Sequence, residues 1–227
     1  MQFLSERLVH TNVSYYDIEA AGPTTLVQFG LWGPDQLEID KQKRNILYGK
    51  FCKQYNLTQL CYSIYSSFIK IIAAQCKAVL ITPDSLVTSY DPFKLAIVRD
   101  SFYKLRMKWK ASIFVAAPDK RNYIAIERMN NNRVIAKGPL AKFIPVGCIQ
   151  KLIKTYQLGG NWLYTFKNYF RNANVVDFIS PQRIILLKSG VYEVGENVGC
   201  ILPNDIDRER YWRIVCLFIF SLQQNWR

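Results

Sequence analysis

The chain has a single histidine, His10, among 227 residues. That scarcity removes the commonest general base and the commonest zinc ligand, and His10 itself reads as structural or solvated. The six cysteines, Cys52, Cys61, Cys76, Cys148, Cys200 and Cys216, form no Cys-x-x-Cys pair. The close ligand pairs of a structural zinc site are therefore missing. Most of these thiols sit among apolar neighbours, where they behave as small hydrophobes, and the cytoplasm or another reducing compartment is the simplest setting. Long apolar runs are lacking as well. The longest, Ile214 to Phe220, falls far short of the ~20 residues of a membrane span. The opening residues "MQFLSERLVH" contain no uninterrupted apolar region of a secretory signal. No metal and no cofactor is implied.

Catalytic fingerprints are scarce too. Ser67-Phe68-Ile69-Lys70 fits Ser-x-x-Lys, and Lys188-Ser189-Gly190 resembles the Lys-Ser/Thr-Gly element of penicillin-recognising enzymes. That chemistry needs its serine exposed at a helix start, whereas Ser67 falls mid-helix. "GVYEVGENVG" has glycines but no Lys-Ser pair after them, so it is a strand with turns and not a phosphate loop.

The most informative shortage is of carboxylates. From Arg128 to Val176 there is none, and from Lys41 to Lys77 seven bases stand without one acid. Residues 1–40 carry six acids and one base, residues 99–175 carry fifteen bases and three acids, and residues 177–227 are balanced. The formal net charge is +13. Charge of that size speaks to partners, not to fold, and its uneven distribution points to an anionic one.

Half the residues are apolar and about a fifth are charged, a globular composition. The expected organisation is a single domain over 1–227 with a sub-boundary near 138–139. Residues 24–31 read as a strand, rich in β-branched and aromatic residues. "DKQKRN" follows as a solvated basic segment opening a helix. Asn56 with Gln59 suggests a capping box for an amphipathic helix to Lys77. Its apolar face holds Leu57, Leu60, Cys61, Ile64, Phe68, Ile71 and Ile72. Residues 78–82 read as a buried strand closed by "TPDS", and Asp91-Pro92 as a helix start for a helix bearing Phe93, Ile97, Tyr103 and Leu105. "ASIFVAAP" and "YIAIERM" read as a hairpin, with "VIAKG" as a third strand. Residues 144–158 read as a helix ended by Gly159-Gly160, and 161–172 as another. "NVVDFIS", "RIILLK" and "VYEV" read as strands, and 204–222 as a closing helix. The fold class is α/β in the mixed α+β sense: a central mixed β-sheet covered by amphipathic helices.

The densest basic stretch is "FYKLRMKWK", residues 102–110. In a helix, Lys104 and Lys108 lie one turn apart on the same side. In a strand, Lys104, Arg106, Lys108 and Lys110 share one face, with Tyr103, Leu105, Met107 and Trp109 on the other. The alternation favours the end of a helix passing into a strand. Lys120 and Arg121 mark a hairpin tip, and Arg128, Arg133, Lys137 and Lys142 follow. With Trp109, Tyr123 and Phe143 as stacking platforms, these residues form the candidate surface for RNA or single-stranded nucleic acid. The leading reading is a non-enzymatic nucleic-acid-binding component of a larger assembly. A second is a structural or adaptor subunit that docks a protein partner through Tyr211, Trp212, Phe218 and Phe220 of the closing helix. A third is an enzyme on an anionic substrate using a Glu/Lys pair or Asp84, which with Ser85 lies at the carboxyl end of a strand, a usual place for a site.

Overall fold

The computed structural model describes residues 1–127, 132–144, 146–158, 184–186, 191–194, 197–200 and 207–225. The chain divides into two compact units. One comprises Met1–Glu6 and Asn12–Lys110, the other Arg7–Thr11 and Ala111–Arg227. The fold is mixed α+β. Seven strands hydrogen-bond into a curled sheet, and the described pairings in it are antiparallel.

In the first unit, β1 (Gln2–Phe3) pairs with β3 (Leu80–Ile81), β3 with β4 (Ser85–Thr88), and β4 with β2 (Val9–Ile18). Three helices intervene: α1 (Ala21–Gln28), α2 (Lys41–Gln54) and α3 (Thr58–Gln75). The core holds Ile69, Ile72 and Ala73 of α3 with Tyr16, Ile18 and Leu86 of the sheet.

Several expected elements differ here. Residues 24–31 do not form a strand; most of the segment lies in α1. Pro23 falls in the first turn, where no helical N–H is needed, and Thr25 Oγ1 donates to Ala21 O at 2.8 Å. Burial of Leu26, 1% exposed, outweighs the strand preference of the β-branched residues. The capping box at Asn56 does not form. Asn56 is left-handed, φ 54°, and ends α2 instead, as asparagine can at a helix C-terminus. The basic segment does open a helix, and Asp40 caps it by accepting from the N–H groups of Gln42 and Lys43. In α3 the buried face is Cys61, Ser66, Ile69, Ile72 and Ala73, whereas Leu60 and Ile71 are half exposed. Apolar residues cover well over half of this helix's circumference, so periodicity alone does not select its inner face.

At Asp91 the expected cap is present, its carboxylate accepting from Phe93 N. Only a 3-10 turn, Pro92–Lys94, and the single turn α4 (Ala96–Arg99) follow. Tyr103 lies in a loop, buried, its hydroxyl 2.6 Å from Thr25 Oγ1. Leu105 begins β5 (Leu105–Ala116).

In the second unit, β6 (Tyr123–Glu127) pairs with β5 in the register Ile113↔Ile126 and Ala116↔Tyr123. It pairs with β7 (Arg133–Lys137) in the register Tyr123↔Lys137 and Glu127↔Arg133. The expected three-strand meander is thus formed. The helix α5 (Val146–Gln157) follows. Strands β8 (Ile184–Leu186), β9 (Val191–Val194) and β10 (Asn197–Cys200) make a separate antiparallel sheet. The helix expected at 161–172 and the strand "NVVDFIS" lie outside the described residues. The closing helix α6 (Arg208–Asn225) buries Tyr211, Ile214, Val215, Phe218, Ile219 and Leu222 against the inner faces of β5, β6 and β7.

Candidate functional site

The register of β2 on β4 brings two carboxylates together. Asp17 sits opposite Ser85, and the next residue, Ile18, donates its N–H to Asp84 O at 2.8 Å. Asp17, near the end of β2, and Asp84, in the bend just before β4, therefore come together at one end of the sheet, and both line a cleft of about 720 Å³. Opposite charges surround them: Lys41 and Arg44 from α2, and Lys104, Arg106 and Lys108 from the basic stretch. The first turn of α1 forms one wall, and Tyr48, Tyr65 and Phe102 supply aromatic surface. All of these residues belong to the first unit.

The electrostatics follow from this crowding. Burial raises the Asp17 carboxyl above its ordinary range, and the nearby charge of Asp84 pushes it further. Lys108, at 3.3 Å, opposes the shift by ion pairing. Tyr65 is pushed up to about 12, by burial first and then by the charge of Asp84. Asp84 accepts from the Thr82 hydroxyl at 2.9 Å, and Thr82 also bonds the Ser85 hydroxyl. The Arg44 guanidinium donates to Leu37 O, while its Nε is buried without a hydrogen-bond partner among the described residues. A buried donor without an acceptor costs about 1–3 kcal/mol, a local cost that Arg44 carries beside the cleft.

Of the densest basic stretch, residues 105–110 open β5, while Phe102, Tyr103 and Lys104 precede it. Lys104, Arg106, Lys108 and Lys110 are exposed, and Leu105 and Trp109 are buried. Met107 breaks the pattern at 51% exposure. Arg106 pairs with Glu19 at 3.7 Å and Lys108 with Asp17, so two of the four cations already share carboxylates at the cleft. Trp109 is no stacking platform for a base: it is 7% exposed and stacks on Tyr15, ring centroids 5.2 Å apart.

The remaining candidates belong to the second unit. Lys120 and Arg121 project from the β5–β6 turn, and Lys137 and Lys142 are exposed nearby in sequence. Lys142 lies over the Phe143 ring at 4.8 Å, and Arg133 pairs with Glu127 at 3.4 Å. Arg128 lies outside the described residues. Tyr123, 1% exposed, and Phe143, 9% exposed, are core residues and not platforms. The turn is held by Asn122, whose Oδ1 accepts from Leu140 N and Ala141 N, both at 2.8 Å. Asp119 accepts from Asn122 Nδ2 and from Arg210.

The closing helix does not present the expected docking face. Tyr211 and Phe218 are 2% and 0% exposed, and Tyr211 donates to Phe143 O at 3.2 Å. They are core of their own unit because the long apolar run supplies the face that covers the sheet. Phe220 is exposed at 57%, and the Trp212 side chain lies outside the described set. His10 is a local structural residue: its Nε2 is 3.0 Å from Arg7 O, and burial lowers its basicity. Ser67 and Lys70 are both exposed in mid-α3, not at a helix start. Among the described residues no group of three His, Cys, Asp or Glu side chains converges as a metal cage, and no helix is long and apolar enough to cross a membrane.

Asp17 is the residue that sequence reasoning missed. Asp84 was marked by its place after a strand; its partner becomes visible only through strand register.

No family model matches the chain, and no curated protein matches it. Among solved structures, the family B DNA polymerase from the hyperthermophilic archaeon Pyrobaculum calidifontis is similar at 10% identity with a TM-score of 0.45. The match covers 76% of this chain and 33% of that one, so the chain spans about a third of the length of that polymerase.

Proposed function

We propose that the cleft of the first unit binds the phosphates of a nucleotide at a nucleic-acid strand and supports phosphoryl transfer there, through a divalent cation held by Asp17 and Asp84. The observation that carries this reading is the placement of both carboxylates in one cleft with Lys41, Arg44 and Lys104. A site for a bare anion has no use for two carboxylates, and a site for a bare cation has no use for a ring of lysine and arginine. A metal–phosphate substrate uses both.

The donor set fits a magnesium-type ion, which takes one or two carboxylates and completes its shell with water and substrate phosphates. The Asp17 carboxyl is raised first by burial and then by the like charge of Asp84, and a bound cation would offset both. An ion held by Asp17 and Asp84 would supply charge neutralisation for the phosphates. The protein's own groups do the rest. Lys41, Lys104 and Arg44 neutralise the phosphates, and the first turn of α1 offers N–H groups and a positive helix end. Lys108, 3.3 Å from Asp17, favours its ionised form. The cleft volume suits a nucleoside triphosphate, within the usual range for small-molecule sites, and Lys110 continues the cationic face for a longer polyanion.

The test is calorimetric titration with a nucleoside triphosphate, with and without Mg²⁺, alongside single-nucleotide extension of a labelled oligonucleotide. Asp17→Asn and Asp84→Asn should each weaken Mg²⁺-dependent binding by about tenfold or more, or ~1.4 kcal/mol, and abolish extension. Binding that ignores both Mg²⁺ and the two substitutions would leave only the non-enzymatic nucleic-acid reading.

A further inference from the structure

Helix α2 has two cationic faces, and the cleft uses one of them. At about 100° per residue, Lys41, Arg44, Asn45, Tyr48 and Cys52 fall on one side. The first four line the cleft, and Cys52 is the helix's buried residue. Lys43, Ile46, Lys50 and Lys53 fall within an arc of about 80° on the other side, and all four are exposed. A helix that buries one residue in fourteen gains little from packing, and this one also stacks like charges along its outer face. Lysines three apart on a helix surface repel one another. None of Lys43, Lys50 and Lys53 has an ion-pair partner among the described residues. The nearest upstream carboxylate, Asp40, is engaged in capping the helix.

We infer that the outer face of α2 is a docking track for the phosphate backbone of a nucleic-acid strand. The inference deepens the proposed function and rests on it, since the same helix lends its other face to the cleft. Charge complementarity selects the occupant: no acid interrupts residues 41–77, so the face carries a uniform positive sign. Ten residues from Lys43 to Lys53 rise about 15 Å along the axis. That length spans about four phosphates of a strand held at duplex spacing, about 3.4 Å each, and fewer of an extended single strand. Ile46, 51% exposed, sits between the lysines and offers apolar contact to sugar or base. The track is sequence-blind, because ammonium groups position a backbone without reading base edges.

The experiment is fluorescence anisotropy of a labelled twenty-nucleotide oligothymidylate over a salt series. It compares the full chain with a triple variant, Lys43→Gln, Lys50→Gln and Lys53→Gln. Glutamine matches lysine in helix propensity, and far-ultraviolet circular dichroism checks the fold. Each phosphate contact on a single strand contributes about 0.7 to the slope of log affinity against log salt. The variant should therefore show a slope shallower by about 2, with Mg²⁺-dependent nucleotide binding in the cleft unchanged. The charge-conserving triple, each lysine to arginine, should restore the slope. An unchanged slope in the glutamine variant overturns the track. So does equal displacement of the oligonucleotide by polyglutamate of matched charge, which would assign the face to an acidic protein. Failure of the cleft reading shows itself separately, as Mg²⁺-independent nucleotide binding in the parent chain.

Discussion

Replacing Asn122 with alanine should loosen the basic turn of the second unit more than any single charge deletion there. Asn122 is 0% exposed and serves three bonds: two accepted from Leu140 N and Ala141 N, one donated to Asp119. Alanine leaves two buried backbone donors without an acceptor. Each such donor costs about 1–3 kcal/mol, so the pair gives roughly 2–6 kcal/mol. That is a large share of the 5–15 kcal/mol or so that holds an ordinary domain folded. Urea unfolding should show a lower midpoint with an unchanged slope. Amide exchange at Leu140 and Ala141 should accelerate selectively, since these are the donors released. A loss under about 1 kcal/mol, with both amides still protected, would refute the claim that this side chain anchors the turn.

Other outcomes are equally definite. Asp17→Asn should stabilise the protein at neutral pH while removing its response to Mg²⁺. The folded carboxyl titrates above its ordinary value of 3.8, so the contribution to stability from this group is complete below that pH and is lost as pH rises through the folded value. The asparagine variant should thus melt higher at pH 7 and match the parent below about pH 3.8; a lower melting point at neutral pH would reverse the sign. Gly138→Ala should destabilise the second unit, because φ is +128° and a Cβ would strike Arg121 O and Asn122; unchanged thermal unfolding would contradict the geometry. Leu86→Ala, at a position with 0% exposure, should cost about 2–5 kcal/mol, read by the same urea titration.

The sequence made the β5–β6–β7 meander legible, because alternation between turn signals has few other solutions. The closing helix was legible for its length and apolar content, but not its role. The same run of Ile, Val, Leu and Phe describes a docking face or a core face, and only the sheet beneath α6 decides. The first unit was harder. Residues 24–31 look like a strand until Pro23 is seen opening a helix, and α3 is apolar on so many sides that its inner face is set by what packs against it. Residues 105–110 of the basic stretch keep the strand alternation, whereas the helix expected to carry Tyr103 and Leu105 ends at Arg99. The same alternation turns Trp109 inward, which removes it as a surface ring. Asp84 could be marked from its turn. Asp17 could not, since its proximity to Asp84 depends on a pairing across more than sixty residues.

The pairing of Asp17 with Ser85 also says what kind of change this region can tolerate. Exchanging one side chain of β2 for another leaves the rest in place. Deleting or inserting one residue between Val13 and Asp17 would invert the strand's two sides, moving the Asp17 carboxylate onto the face that now carries Tyr16 and Ile18. Length in this strand is therefore under chemical as well as steric control, and a library of variants should accept many substitutions there and no frameshift of a single position.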